Sequence, residues 1–186
     1  MEYFEKYCSL LHNALLGIDK NKLKTLKTML CEAAEQSRHV FILGNGGSCA
    51  SASHWVCDMG KGINVDGKPR MRIMALADNT AILTAVGNDI SYADVFAYQL
   101  RNFADKDDLV IILSASGNSP NLIRALEYTK SIGCHNISIV GDFNGAVIPL
   151  SELAIVIPSQ NYGIIEDTHT IINHALSQYI LQLNRE

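Results

Sequence analysis

VFILGNGGSCASASHWVCD, residues 40–58, is the stretch on which the fold turns. It opens with Val40-Phe41-Ile42-Leu43, a short run of β-branched and aromatic type, which predicts a buried strand. Gly44-Asn45-Gly46-Gly47-Ser48 follows, where glycine permits backbone angles that other residues resist. Small residues from Cys49 to Ser53 then lead into a helical pattern. A strand passing through a glycine turn into a helix N-terminus gathers several free backbone N–H groups at one point. Such a point attracts anions, phosphate above all. Further along, His54 and Asp58 are spaced i, i+4 and share one helix face, as an acid/base or metal-ligand pair would. An ordinary tight turn with a buried histidine shows the same features, and the rest of the chain decides between the two.

Ahead of this stretch, residues 2–37 are helical in pattern, as two helices broken near Gly17-Ile18-Asp19. Leu23, Leu26, Met29, Leu30 and Ala33 form an amphipathic stripe, and Asp19 is a plausible N-cap. One α/β layer does not need both helices, so residues 1–37 are expected to pack on a neighbouring subunit. Beyond it, the helix ends near Gly60-Lys61-Gly62 and a loop runs from Asn64 to Arg70. Arg72–Leu76 is a short strand. Asp78 or Asn79 caps a helix through Val86, Gly87-Asn88-Asp89 is a turn, and Asp94–Phe103 is a helix. Leu109-Val110-Ile111-Ile112-Leu113 has the continuous apolar character of a central parallel strand. It enters Ser114-Ala115-Ser116-Gly117-Asn118-Ser119-Pro120, then a helix from Asn121 to Ile132 stopped by Gly133. Asn136–Val140 and Ala154–Ile157 are strands, and a final helix spans Ile164–Leu183.

Strands alternating with helices imply βαβ units. The expectation is one α/β domain: a three-layer, doubly wound, flavodoxin-like sheet of five parallel strands over residues 38–186, with the two leading helices before it. In such sheets ligands bind outside the carboxyl ends of the strands, at the switch point. Both unusual turns, Gly44–Ser48 and Ser114–Ser119, lie at carboxyl ends.

Composition narrows the class. Of 186 residues, 48% are hydrophobic and 18% charged, which excludes a disordered chain. The low charge fits surface hidden in an oligomer or within the domain. A net charge of −4 leaves no basic footprint for nucleic acid. Five cysteines without a CxxC pair, no secretory leader and no membrane-spanning apolar run point to a reduced, cytoplasmic protein with no membrane partner. Cys49 is either an activated thiol at a helix N-terminus or a small packing residue.

Ser114, Ser116 and Ser119 place three hydroxyls and several N–H groups at a helix N-terminus, which suits a phosphate monoester. There is no GxxxxGK[ST] and no GxGxxG, so no nucleotide cofactor is expected. On the last helix Glu166, Thr170 and His174 are spaced i, i+4, i+8, with His169 on a different face. His174 lies deeper in the apolar part of that helix than Glu166. A solvent-exposed face or a subunit contact also accommodates Glu166 and His169.

Taken together, GNGGS with His54 and Asp58 behind it, Gly87-Asn88-Asp89, SASGNS from Ser114 to Ser119, and Glu166 with His174 resemble the sugar isomerase (SIS) domain family over nearly the whole chain. The pattern is most similar to the sedoheptulose 7-phosphate isomerases, also called phosphoheptose isomerases. The resemblance implies a homotetramer that interconverts sedoheptulose 7-phosphate and D-glycero-D-manno-heptose 7-phosphate, a step toward heptose in bacterial lipopolysaccharide or capsule. It implies that Ser48, Ser114, Ser116 and Ser119 hold the phosphate and that Asn45 and Asp89 contact sugar hydroxyls. Gly46, Gly47, Asn88, Ala115 and Glu166 would complete the substrate's surroundings. It implies Asp58 and His174 as the acid/base pair, and His54, Asp58, Glu166 and His174 as the site where some members carry zinc.

Three positions depart from the family: Asp58 and Glu166 stand where Glu and Gln are usual, and Ala115 where Thr is usual. The carboxylate of Asp58 therefore sits one methylene nearer its backbone, and the cluster holds two His and two carboxylates. The implied chemistry is aldose–ketose isomerisation through an enediol, with Asp58 as base and His174 as acid. A DnaA-binding initiator factor also belongs to this subfamily, as a non-catalytic binding module. In that branch the acid/base positions look lost, whereas both are present here.

Overall fold

The five apolar runs pair into one parallel sheet. The computed structural model describes residues 1–186 and contains β1 (His39–Leu43), β2 (Arg72–Ala75), β3 (Leu109–Ser114), β4 (His135–Gly141) and β5 (Leu153–Ile157). Their order is β2-β1-β3-β4-β5, with every neighbouring pair parallel, as expected for a flavodoxin-like sheet. Seven α-helices accompany it: α1 (Glu2–Leu16), α2 (Lys20–Glu35), α3 (Gly47–Cys57), α4 (Thr80–Asp89), α5 (Val95–Phe103), α6 (Pro120–Ile132) and α7 (Tyr162–Arg185). No helix is long and apolar enough to cross a membrane.

Side chains of the central strands alternate between two cores. Val40, Ile42, Ile111 and Leu113 join one with Leu26, Trp55 and Ile165, from α2, α3 and α7. Phe41, Leu43, Val110 and Ile112 join the other with Phe96 and Leu122, from α5 and α6. Since α3 packs on one face and α6 on the other, the turns leaving β1 and β3 diverge at the carboxyl edge. Chain reversal there opens the crevice that doubly wound sheets use for ligands.

The two leading helices are not alike. Asp19 caps α2 as expected, accepting from the backbone N–H groups of Asn21 and Lys22. Leu26 and Leu30 of α2 are fully buried in the sheet's own core, each contributing roughly 1.5–3 kcal/mol. So α2 is needed by this chain's own layer. Helix α1 buries only Ala14 and leaves Tyr3, Phe4, Leu10 and Leu16 exposed.

Two local expectations are corrected. Helix α4 continues through Gly87-Asn88-Asp89 instead of turning there: Asn79 caps it by accepting from Ile82 N–H, and regular geometry ends only at Ile90. Gly87 does not take a positive φ, so it is a tolerated helix residue, not a breaker. Helix α3 does not run on regularly to Gly62 either. At Asp58 it widens into a π-turn over Asp58–Gly62, with Ile63 N–H donating to Asp58 O at 3.1 Å. Such widened turns often accompany functional positions.

Candidate functional site

The serine loop is a tightly tied structure. Gly117 has φ +66°, and a β-carbon on it would lie 3.1 Å from both Gly145 Cα and Val147 Cγ2. Its N–H donates to Ser114 Oγ at 3.0 Å and its carbonyl accepts from Val147 N–H at 3.1 Å. Asn118 Oδ1 accepts from Ala146 N–H at 2.8 Å. Ser114 is buried and its hydroxyl shapes the loop from within, and Ala115 is buried beside it. Ser116 and Ser119 remain partly open. Ser119 is the N-cap of α6 but makes no side-chain cap hydrogen bond, and the first turn of α6 carries no acidic residue. The positive end of that helix dipole is thus uncompensated.

The turn after β1 differs. Ser48 is buried there. A β-carbon on Gly47 would collide with the carboxylate of Glu166, so this side chain lies directly over the turn. The N-terminal end of α3 already faces an anion of the protein's own. Asn45 sits between the two loops: it exchanges side-chain hydrogen bonds with Asn121, and its Oδ1 also accepts from Tyr92 Oη at 3.0 Å. Asn88 and Asp89 are exposed and bonded to each other, Nδ2 to Oδ1 at 2.8 Å. Burial and the nearby Asp78 raise the Cys49 thiol's pKa above its ordinary value, which leaves it a packing residue rather than an activated thiol.

His54, Asp58 and His174 come together. Asp58 Oδ2 lies 3.2 Å from His54 Nε2 and 3.5 Å from His174 Nε2, and the two ring nitrogens are 3.0 Å apart. The triangle is slightly tighter than the face of a tetrahedron with ligand bonds of about 2.0–2.2 Å, whose edges are about 3.3–3.6 Å, and three protein ligands leave a fourth position open, as in catalytic zinc sites. His54 and His174 are half-exposed, and Asp58 and His174 line a groove of about 200 Å³ with Gly62, Ser177, Gln178 and Leu181.

Within one protomer Glu166 is not part of this cluster. It is eight residues before His174, about 12 Å along the axis of α7, and it faces Gly47. The same rise places His54 and Asp58 about 10–16 Å down α3 from the glycine turn. The acid/base cluster of one chain therefore lies well along α3 from the glycine turn, toward the far end of that helix.

The two other α7 positions change places relative to expectation. His174 is open, while His169 is buried in the core, its Nε2–H donating to Ile139 O at 3.0 Å. Its pKa is pushed down to about 4 by burial, so it is a neutral structural imidazole. Its carbonyl accepts from Trp55 Nε1 at 3.1 Å, tying α3 to α7. Ile165, His169, Ile172 and Leu176 form one buried stripe at i, i+4, i+7, i+11, a periodicity that marks His169 as a core position. Asn121, Tyr92 and Asn173 are contacts at the site that spacing arguments do not reveal.

A doubly wound sheet with a neutral hydroxyl loop at its switch point and a carboxylate–imidazole cluster on its flanking helices defines an α/β protein built for an anionic small molecule. The SIS domain model matches residues 2–141. The chain is 34% identical over 158 residues to a phosphoheptose isomerase of Helicobacter pylori, covering 85% of this chain and 82% of that protein. It is 33% identical over 169 residues to a probable phosphoheptose isomerase of Thermoplasma volcanium, covering 91% and 86%. A solved phosphoheptose isomerase from Francisella tularensis superposes with a TM-score of 0.87 at 25% identity, over 97% of this chain and 95% of that one. The chain belongs to the SIS domain family, on its phosphoheptose isomerase branch.

Proposed function

We propose that this protein is a phosphosugar aldose–ketose isomerase acting between sedoheptulose 7-phosphate and D-glycero-D-manno-heptose 7-phosphate. The observation that carries the reading is the approach of Asp58 Oδ2 to His174 Nε2, 3.5 Å, on two helices of an SIS domain.

Asp58 takes the proton from the carbon beside the carbonyl, and His174 gives a proton to the carbonyl oxygen. The enediol collapses when Asp58 returns its proton to the neighbouring carbon and His174 recovers one from the other hydroxyl. Ser116, Ser119 and the N-terminus of α6 hold the phosphate with neutral donors and the helix dipole. His54, Asp58 and His174 are the residues that would hold a zinc ion, which when bound polarises a carbonyl as a Lewis acid.

The offset of the cluster from the glycine turn along α3 supports an assembly in which one protomer's serine loop meets another's cluster. A homotetramer using the exposed apolar face of α1 meets that need. The activity belongs to cytoplasmic heptose synthesis for surface polysaccharide.

Incubation with sedoheptulose 7-phosphate in deuterated water, followed by NMR, tests the reading. Aldose should accumulate, with solvent deuterium at the carbon beside the carbonyl. No aldose from any six- or seven-carbon sugar phosphate, with or without zinc, would replace the enzyme by a binding module.

A further inference from the structure

Asn173 immediately precedes His174 on α7 and is fully buried. Its Nδ2 donates to Asp58 Oδ2 at 2.7 Å, the shortest contact that oxygen makes with the cluster. Its own Oδ1 is buried and has no partner. A buried amide with one half unsatisfied is unfavourable compared with an apolar side chain of the same size. Packing alone does not explain this residue, whereas its one hydrogen bond does.

We infer that Asn173 is a positioning residue that sets the orientation of the Asp58 carboxylate. All three approaches to Asp58, from Asn173, His54 and His174, are to Oδ2. Oδ1 is left as the oxygen free to exchange a proton with substrate. Asp58 stands at the first residue of the π-turn, where the backbone itself is displaced, and its short side chain has one methylene less with which to adjust. The Asn173 donor fixes from the opposite helix what the short side chain cannot fix for itself. This role rests on Asp58 acting in the proposed isomerisation, but the geometry it asserts is independent of activity.

Asn173→Leu removes the donor at nearly constant size. The expected result is a fall in kcat of about 10–100-fold with KM changed less than about threefold, since a group displaced by about 1 Å loses rate rather than binding. Asp58→Glu added to Asn173→Leu should recover part of the loss, because the longer side chain reaches without the clamp. A crystal structure of the variant should show the Asp58 carboxylate rotated away from its wild-type position. Asn173→Ala, which adds no atom to the core, takes the place of Asn173→Leu if the latter does not fold. Unchanged kcat in an active background, or an Asp58 carboxylate in its original orientation in the variant crystal, overturns the inference. Wild-type protein inactive on every phosphosugar overturns the proposed function instead, and the crystallographic comparison still decides the role of Asn173.

Discussion

Asn45 and Asn121 hold each other by a reciprocal pair of amide hydrogen bonds, Nδ2 to Oδ1 at 3.0 Å in one direction and 2.9 Å in the other. The pair joins the turn after β1 to the first turn of α6, so the two loops of the switch point are coupled by side chains as well as by the sheet. Asn121 is buried, and Asn121→Leu should leave the Asn45 amide without its fixed orientation. The expected cost is about 1–3 kcal/mol of stability, read by chemical denaturation, together with a raised KM for phosphosugar. Tyr92→Phe, which removes only the third, exposed partner, should shift stability far less. Equal effects of the two substitutions would show that the reciprocal pair is not what orders Asn45.

Phosphate capture by the serine loop predicts a selective defect. Ser116→Ala should weaken binding of inorganic phosphate and phosphosugar by roughly 0.5–1.5 kcal/mol or more, with the melting temperature little changed, because Ser116 is only partly buried and its one bond within the loop, from Asn118 N–H at 3.3 Å, is long. Isothermal titration with phosphate measures this directly, and unaltered affinity would place the anion elsewhere. Ser114→Ala should behave differently, since its hydroxyl accepts from Gly117 N–H inside the loop: loop order and stability should suffer along with binding.

His169 predicts a pH dependence of folding. Its pKa is about 4 in the folded protein against 6.5 for the free side chain. The unfolded chain therefore takes up a proton that the folded one refuses between these values. Stability from this group is fully present above pH 6.5 and declines as pH falls toward 4, by at most about 3 kcal/mol. Urea unfolding across that window should show the slope, and His169→Gln should flatten it. A wild-type profile that is flat from pH 6.5 to 4 would contradict the assignment.

The His54, Asp58 and His174 triangle predicts zinc binding through two imidazoles and one carboxylate. Metal-free protein titrated against a chromogenic chelator should take up one zinc per chain, and His54→Ala should weaken uptake at least tenfold. Because Glu166 lies about 12 Å along α7 from His174, Glu166→Gln should leave uptake by an isolated protomer unchanged.

Shared sites predict complementation. Ser116→Asp, which sets a carboxylate where the phosphate would sit, and His174→Gln are each expected to be poorly active alone. Mixed, unfolded and refolded together, they should regain activity at about a quarter of the sites, where intact halves from two protomers meet in a symmetric assembly. Phe4→Glu on the exposed face of α1 should dissociate the assembly in sedimentation and abolish that recovery. A fully active monomer would remove the scheme.

The sheet was legible because its signals are local. Val40–Leu43 and Leu109–Leu113 are apolar runs with turn residues at their ends, and that is enough to order strands and place two turns at one edge. The cluster was legible only in part. The i, i+4 spacing of His54 and Asp58 brings them together on one helix. An i, i+8 spacing on α7 also keeps Glu166 and His174 on one face, but it separates them by more than two turns, too far for one metal ion. His169 carried a readable core periodicity with Ile165, Ile172 and Leu176, which the proximity of His174 to apolar neighbours obscured. The π-turn at Asp58 has no residue signature, and the amides of Asn121 and Asn173 acquire meaning only from what the fold sets opposite them.

Trp55 is the chain's one tryptophan. It is wholly enclosed, adjacent in sequence to His54, and its indole N–H reaches across to α7. The molecule therefore contains a single indole, excitable at the red edge apart from its seven tyrosines, placed at the seam where the two cluster-bearing helices meet. Its emission should be blue-shifted while the seam is closed and move to the red, with loss of intensity, when α3 and α7 part. Metal uptake, subunit exchange and unfolding can thus be followed optically at one known position, with no label attached.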